Sequence, residues 1–222
     1  MKLLTRTAAP QGAALTDRDR RLVWRVAALL LDYPSTQTLT MTGQLTSAVQ
    51  ELPGALREPM SDFLSDFCAT DPLELAARYV ETFDMRRRAS LHLTYYAYGD
   101  TRKRGMALLR FKHAYRQAGT QLGDGELPDY LPLVLEFAAT IDPRQGERLL
   151  AEHVPVLELL RLSLQDSGSA YAGLLAAVLV TLPPINTADR RRIAELAAQG
   201  PPSEDVGLEP FMMDPLTAGA RR

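Results

Sequence analysis

Apolar residues return at helical spacing along most of the chain. Leu22, Val26, Leu29 and Leu30 line one face of a first segment. It opens at Thr16, with Asp19 three positions on in the manner of a capping box, and stops before Tyr33-Pro34. The same periodicity predicts helices over residues 36–51, 55–68, 72–83, 91–98, 101–118, 129–140, 144–152, 156–165 and 169–181. No stretch sustains the period of two that a half-buried strand requires, so no sheet is expected. The fold class is all-α, a single compact multi-helix bundle.

Punctuation between the segments agrees with this division. Pro53-Gly54, Gly119, Gly123-Asp124-Gly125, Asp142-Pro143 and Pro183-Pro184 each stop or start a helix for steric reasons, and the loops are short. Pro128 and Pro132 are expected together in the first turn of one helix, where a missing N–H costs little. No repeat of solenoid length is present. Residues 1–15 read as a flexible N-terminal tail, 16–182 as the helical domain and 183–222 as a C-terminal extension. That extension carries one polar helix over 187–198 and then a flexible tail. Within the tail Phe211-Met212-Met213 is an apolar cluster suited to folding back on the domain or touching a partner.

Charges at two helix ends run against local expectation. The segment opened by Asp71-Pro72 ends at Asp84, where the helix dipole is already negative, and the segment after Asp100-Thr101 begins with Arg102, Lys103 and Arg104. Asp84 is therefore expected to pair with Arg102 or Arg104 across a helix corner, with Arg86 to Arg88 also within reach of it. The same charges lie near Tyr95, Tyr96 and Tyr98. Together they suit a peptide that brings both apolar anchors and charge. At 100° per residue the three tyrosines cannot face one way, so at least one belongs to the core.

Several blocks of this region resemble a known family, the assembly chaperones of respiratory nitrate reductase, called NarJ or the delta subunit, within the wider TorD-like chaperones for molybdenum enzymes. The blocks are Leu30-Leu31-Asp32-Tyr33-Pro34, Asp71-Pro72-Leu73, Tyr79-x-x-x-Phe83-Asp84, Gly99-Asp100-Thr101-Arg102-x-Arg104-Gly105 and Glu126-Leu127-Pro128-Asp129-Tyr130-Leu131-Pro132. Their order and spacing make the match specific, and it covers about the first two thirds of the chain. The resemblance implies the TorD-like helical fold and a cytoplasmic, non-catalytic chaperone. It would bind the N-terminal segment of the apo catalytic (alpha) subunit and keep it competent for molybdenum cofactor insertion before membrane docking. The client-binding set expected on this basis is Tyr79, Phe83, Asp84, Tyr95, Tyr96, Tyr98, Asp100, Arg102, Arg104, Asp129 and Tyr130. Molybdenum cofactor biosynthesis proteins are further partners in such a scheme. The chain departs from the family in having tyrosines where histidine often precedes the Gly-Asp pair, and beyond Thr181 it inherits nothing. A chaperone for another molybdenum oxidoreductase, or a helical enzyme with a long-range site, are the competing readings.

Composition narrows the field further. With 222 residues, 46% of them hydrophobic, the chain can bury a substantial core. A net charge of −2 argues against a general nucleic-acid surface, and the triplets Arg86 to Arg88 and Arg190 to Arg192 read as solvated faces. The one cysteine, Cys68, excludes an internal disulfide and reads as a small buried hydrophobe in a reducing compartment. The N-terminus has no continuous apolar run of the secretory kind, and residues 171–182 fall short of a bilayer span, so no stable membrane insertion is expected. His92, His113 and His153 belong to no metal-ligand motif, the glycines match no phosphate-binding loop, and no nucleophile elbow is present. No cofactor and no metal are expected.

Overall fold

The computed structural model describes residues 15–199 apart from Asp100 and Asp124. Expectations for residues 1–14, Asp100 and the segment containing Phe211-Met212-Met213 lie outside the described residues. The elements in chain order are α1 (Asp17–Leu30), α2 (Thr36–Thr40), α3 (Thr42–Gln50), α4 (Gly54–Ala69) and α5 (Pro72–Tyr79). A π-helical turn (Val80–Asp84) and a 3-10 turn (Arg87–Ala89) follow. The chain continues through α6 (Tyr95–Tyr98), α7 (Arg102–Gln117), α8 (Leu131–Thr140), α9 (Pro143–Glu152), α10 (Val154–Asp166), α11 (Tyr171–Val180) and α12 (Thr187–Gln199). Among the described residues there is no strand, only an isolated antiparallel bridge between His92 and Tyr130.

The helix starts are held as their sequences require. Thr16 Oγ1 accepts from Asp19 N at 3.1 Å while the Asp19 carboxylate accepts from Thr16 N at 3.0 Å, which completes the capping box on α1. Asp71 caps α5 by accepting from Leu73 N at 2.9 Å, and Asp142 caps α9 by accepting from Gln145 N at 3.0 Å. Each of these two caps is followed by a proline at the first helical position.

α11 (YAGLLAAVLV) is apolar on all sides and packs against α1, α4 and α10 at the centre of the bundle. α1 lies along α8 and presents Trp24, whose indole N–H donates to Thr181 Oγ1 at 2.8 Å; that hydroxyl in turn donates to the Val178 carbonyl. α8 and α9 cross closely at Gly146, where a Cβ would fall 2.3 Å from Ala138 Cα.

Four expectations are corrected. Residues 36–51 are two helices that break at Met41, because Thr40 and Thr42 turn their hydroxyls back onto the carbonyls of Gln37 and Leu39 and compete with the helical ladder. Residues 91–94 are not helical: the backbone around His92 pairs with 129–131 through Leu93 N to Asp129 O (3.0 Å) and Leu131 N to Leu91 O (2.8 Å), Leu91 and Leu93 are buried, and a turn at 93–94 leads into α6. Pro132 sits in the first turn of α8 but Pro128 precedes the helix, since α8 starts at Leu131. Cys68 is exposed. The core stripe of α4 runs through Leu56, Met60, Phe63 and Phe67, and residue 68 is rotated about 100° from the last of these.

Candidate functional site

The separated sequence blocks meet in two side-chain clusters behind one cleft. The first is built on Asp129, which has no exposed surface at all. Its Oδ2 accepts from the Thr94 amide at 3.0 Å and from the Thr94 hydroxyl, and Arg104 Nη2 stands 3.6 Å away. Arg104 Nε donates to Thr94 Oγ1 at 3.2 Å, and its guanidinium lies 5.7 Å from the centre of the Tyr95 ring. On the other side His92 Nδ1 faces Asp129 Oδ1 at 3.4 Å, an ion-pair distance and not an aligned hydrogen bond. Burial opposes ionisation of Asp129, but His92 and the two Thr94 donors outweigh it and hold the carboxyl down at about 2.

The second cluster joins Tyr79, Tyr130 and Asp32. The Tyr79 and Tyr130 hydroxyls are 2.9 Å apart, Tyr130 donates to Asp32 Oδ1 at 2.9 Å, and the Tyr79 hydroxyl also lies 3.3 Å from the Leu31 carbonyl. A carboxylate can only accept, so Tyr130 gives its single proton to Asp32 and takes one from Tyr79. Burial, with the Asp32 and Asp84 carboxylates nearby, pushes the Tyr79 hydroxyl up to about 12; burial, with Tyr79 and Asp32 nearby, pushes Tyr130 upward as well. Both phenols stay protonated in the neutral range. Behind Tyr79 an aromatic stack continues through Phe83 (4.9 Å between centroids) to Tyr171 (4.7 Å from Phe83), and Tyr33 meets Tyr79 edge-on at 5.5 Å.

In front of these clusters, between α1, α8 and the loop before α8, lies a cleft of about 620 Å³. Tyr130 and His92 form one wall, their rings 5.4 Å apart, and Leu29, Leu127 and Leu133 supply its apolar surface. Asp32 and Glu126 stand on its rim, and an ion pair between Arg25 and Glu136 neutralises its one arginine. The cleft is thus apolar within and acidic at its edge. It suits a peptide that inserts hydrophobic side chains and carries a cation.

The expected client-binding residues do not form one surface. Tyr130 lines the cleft. Tyr79, Phe83 and Tyr96 are buried, the last with its hydroxyl donating to the Arg88 carbonyl at 2.6 Å. Asp129 and Arg104 are buried in their shared network, so they support the cleft from behind and present no surface to a client. Tyr95 is half-buried, Tyr98, Asp84 and Arg102 are exposed, and Asp100 lies outside the described residues. Asp84 makes no ion pair or side-chain hydrogen bond among the described residues, which corrects the expected pairing with Arg102 or Arg104. The π-helical turn leaves Asp84 exposed while Phe83 is buried; Arg104 turns to Asp129, and Arg86 reaches Glu81 at 3.3 Å instead.

Sequence reasoning missed Asp32, His92, Leu29, Leu127 and Leu133 as cleft residues. Asp32 and Leu127 stood within the recognised blocks, while nothing local distinguished His92 or Leu133. His113 is exposed and His153 is half-buried, with desolvation of its ring lowering its pKa. Among the described residues no group of His, Cys, Asp and Glu is placed to hold a metal ion, and no helix is long and apolar enough to cross a membrane.

Fold and site together define an all-helical protein whose distinctive surface is a recessed, apolar and acid-rimmed cleft braced by buried polar clusters. Residues 46–177 match the family described as the nitrate reductase delta subunit. The chain belongs to that family. It is 34% identical over 177 residues to the nitrate reductase molybdenum cofactor assembly chaperone NarJ of Escherichia coli K12, covering 78% of this chain and 74% of the relative. It is 32% identical over 165 residues to the probable chaperone of the same name in Bacillus subtilis, covering 74% and 90%. With the nitrate reductase-like protein NarX of Mycobacterium tuberculosis H37Rv the identity is 42% over 161 residues; this covers 72% of the chain but only 24% of that relative's length. The Leu30–Pro34 block, which supplies Asp32, precedes the family match, and the C-terminal extension follows it.

Proposed function

We propose that the chain is a dedicated assembly chaperone for a respiratory nitrate reductase. It holds the N-terminal segment of the apo catalytic subunit in the cleft between α1 and α8 and keeps that subunit open to molybdenum cofactor insertion before it docks at the membrane. The protein acts in the cytoplasm and performs no chemistry. It stabilises the immature conformation by binding it in preference to the mature one, and release follows when cofactor loading shifts the client's own equilibrium.

The observation that carries this reading is that Asp32 and Tyr130, from two separated sequence blocks, line one cleft of peptide-binding character, while Tyr79 of a third block holds the Tyr130 hydroxyl from behind. Apolar side chains of an amphipathic segment would pack on Leu29, Leu127 and Leu133, and a client cation would meet Asp32 or Glu126. Calorimetry with a synthetic peptide from the catalytic subunit's N-terminus tests it. Binding should show a negative heat-capacity change, because apolar surface leaves water. Leu133→Glu, at a half-buried cleft position, should weaken binding at least about tenfold with the fold intact. Unchanged affinity in that variant would place the client elsewhere.

A further inference from the structure

A second cleft, of about 740 Å³, opens on another part of the bundle between the 3-10 turn, α10 and α12. Its character differs from that of the first. Arg86, Arg87 and Arg88 line one side, Leu159 and Leu162 of α10 supply apolar surface, and Asp166 is the single acid among the residues that line it. The turn is fixed from beneath by the Tyr96 hydroxyl on the Arg88 carbonyl. Arg88 makes no ion pair among the described residues, and Leu162 leaves 36% of its surface exposed. An apolar floor beside a concentration of positive charge calls for an occupant that is both acidic and hydrophobic.

The chain carries such a segment a few residues away. Leu196 and Ala197 of α12 form part of the cleft, and α12 ends at Gln199. After the spacer Gly200-Pro201-Pro202, residues 203–214 read SEDVGLEPFMMD. They hold four acids, Glu204, Asp205, Glu209 and Asp214, without a lysine or arginine, interleaved with Val206, Leu208, Phe211, Met212 and Met213. From Gln199 an extended chain reaches Phe211 over up to about 40 Å, so geometry sets no obstacle.

We propose that residues 203–214 are the occupant of this cleft, with an acid on Arg88, whose neighbour Arg86 is already paired with Glu81, and their apolar side chains on Leu159 and Leu162. Covalent attachment makes even a weak contact effective. A tethered segment sees the cleft at an effective concentration on the order of 1 mM, so a free-peptide Kd of about 100 μM already gives roughly 90% occupancy. Occupation would cover an apolar surface that otherwise invites non-specific association. This assignment is independent of what the first cleft binds.

Hydrogen–deuterium exchange of the full chain tests it. Amides of residues 204–214 should exchange about tenfold more slowly than in a free peptide of the same sequence. Arg88→Glu and, separately, Leu162→Asp should bring them to within about twofold of the free peptide, while amides of α1, α8 and α11 keep their protection. Arg144→Glu, a charge reversal on α9, should change nothing in the tail. Free-peptide exchange in the unmodified chain would overturn the proposal. So would retention of protection in both cleft variants, which would mean that the tail rests elsewhere or that another partner uses this cleft.

Discussion

Replacing Asp129 by asparagine keeps the shape of the buried network and removes its charge. A carboxyl held at about 2 against its ordinary 3.8 stabilises the folded state by roughly 2.5 kcal/mol at neutral pH, at 1.36 kcal/mol per tenfold change in proton affinity. The sign follows from the depressed folded value. The stabilisation is complete above the unfolded pKa and disappears as pH falls from about 4 through about 2. Asparagine also leaves Arg104 with a neutral partner in a buried setting, so the expected loss at neutral pH is about 3 kcal/mol. In a chain of this size that lowers Tm by roughly 6 to 12 °C. Urea unfolding followed by circular dichroism, repeated between neutral pH and about pH 2.5, measures both parts. The gap between the two proteins should narrow as the solution is acidified, because other carboxyls titrate alike in each. A variant within about 1 kcal/mol of the parent at neutral pH, or a gap independent of pH, would refute the electrostatic account of the cluster.

Phe83→Ala should cost about 3 kcal/mol, since the ring is 7% exposed and stacked between Tyr79 and Tyr171; an unchanged melt with weakened peptide binding would instead make it a contact residue. Gly146→Ala should destabilise by about 1 to 3 kcal/mol despite alanine's better helix propensity, because its Cβ would fall on the Ala138 backbone; a raised Tm would show that α8 and α9 separate at little cost. Asp84→Arg should leave stability within about 0.5 kcal/mol, as the carboxylate has no ionic partner among the described residues. If a client cation answers Asp84, the same variant weakens peptide binding severalfold in calorimetry, and equal affinity would remove Asp84 from recognition.

Helical periodicity was legible wherever a segment had an apolar stripe and a cap, as at Thr16 with Asp19 and at Asp71-Pro72. The non-helical stretch at 91–94 was not, because Leu91 and Leu93 alternate with His92 over too few positions to separate a period of two from one of 3.6. Two local signals also misled. The cations at the start of α7 seemed to need Asp84 because nearest-neighbour reasoning sees only nearby acids, whereas Arg104 faces a carboxylate 25 positions away that only folding brings within 3.6 Å. Asp129 was expected among the client-binding residues, whereas it is fully buried, and the groups that let a carboxylate be buried belong to tertiary structure. Tyr96 turned inward, as the crowding of three tyrosines required, yet spacing alone did not select it over Tyr95.

The cost of burying Asp129 bears on why the first cleft suits the proposed role. His92 and Tyr130, which form its wall, face each other across the isolated bridge; behind them His92 meets Asp129, and Tyr130 is held by Tyr79 and Asp32. Neither ring is left to find its position when a ligand arrives, so little ordering entropy is lost on binding. The apolar side chains near the wall are few, which limits affinity, while the acids at the rim make the choice of partner depend on charge. A chaperone that must both select one client and let it go needs that division. In the proposed role, selectivity would come from a preformed, charged geometry, and release would remain possible because the apolar contact is modest. The buried network would then serve recognition without touching the client, by fixing His92 and Tyr130 in the cleft wall.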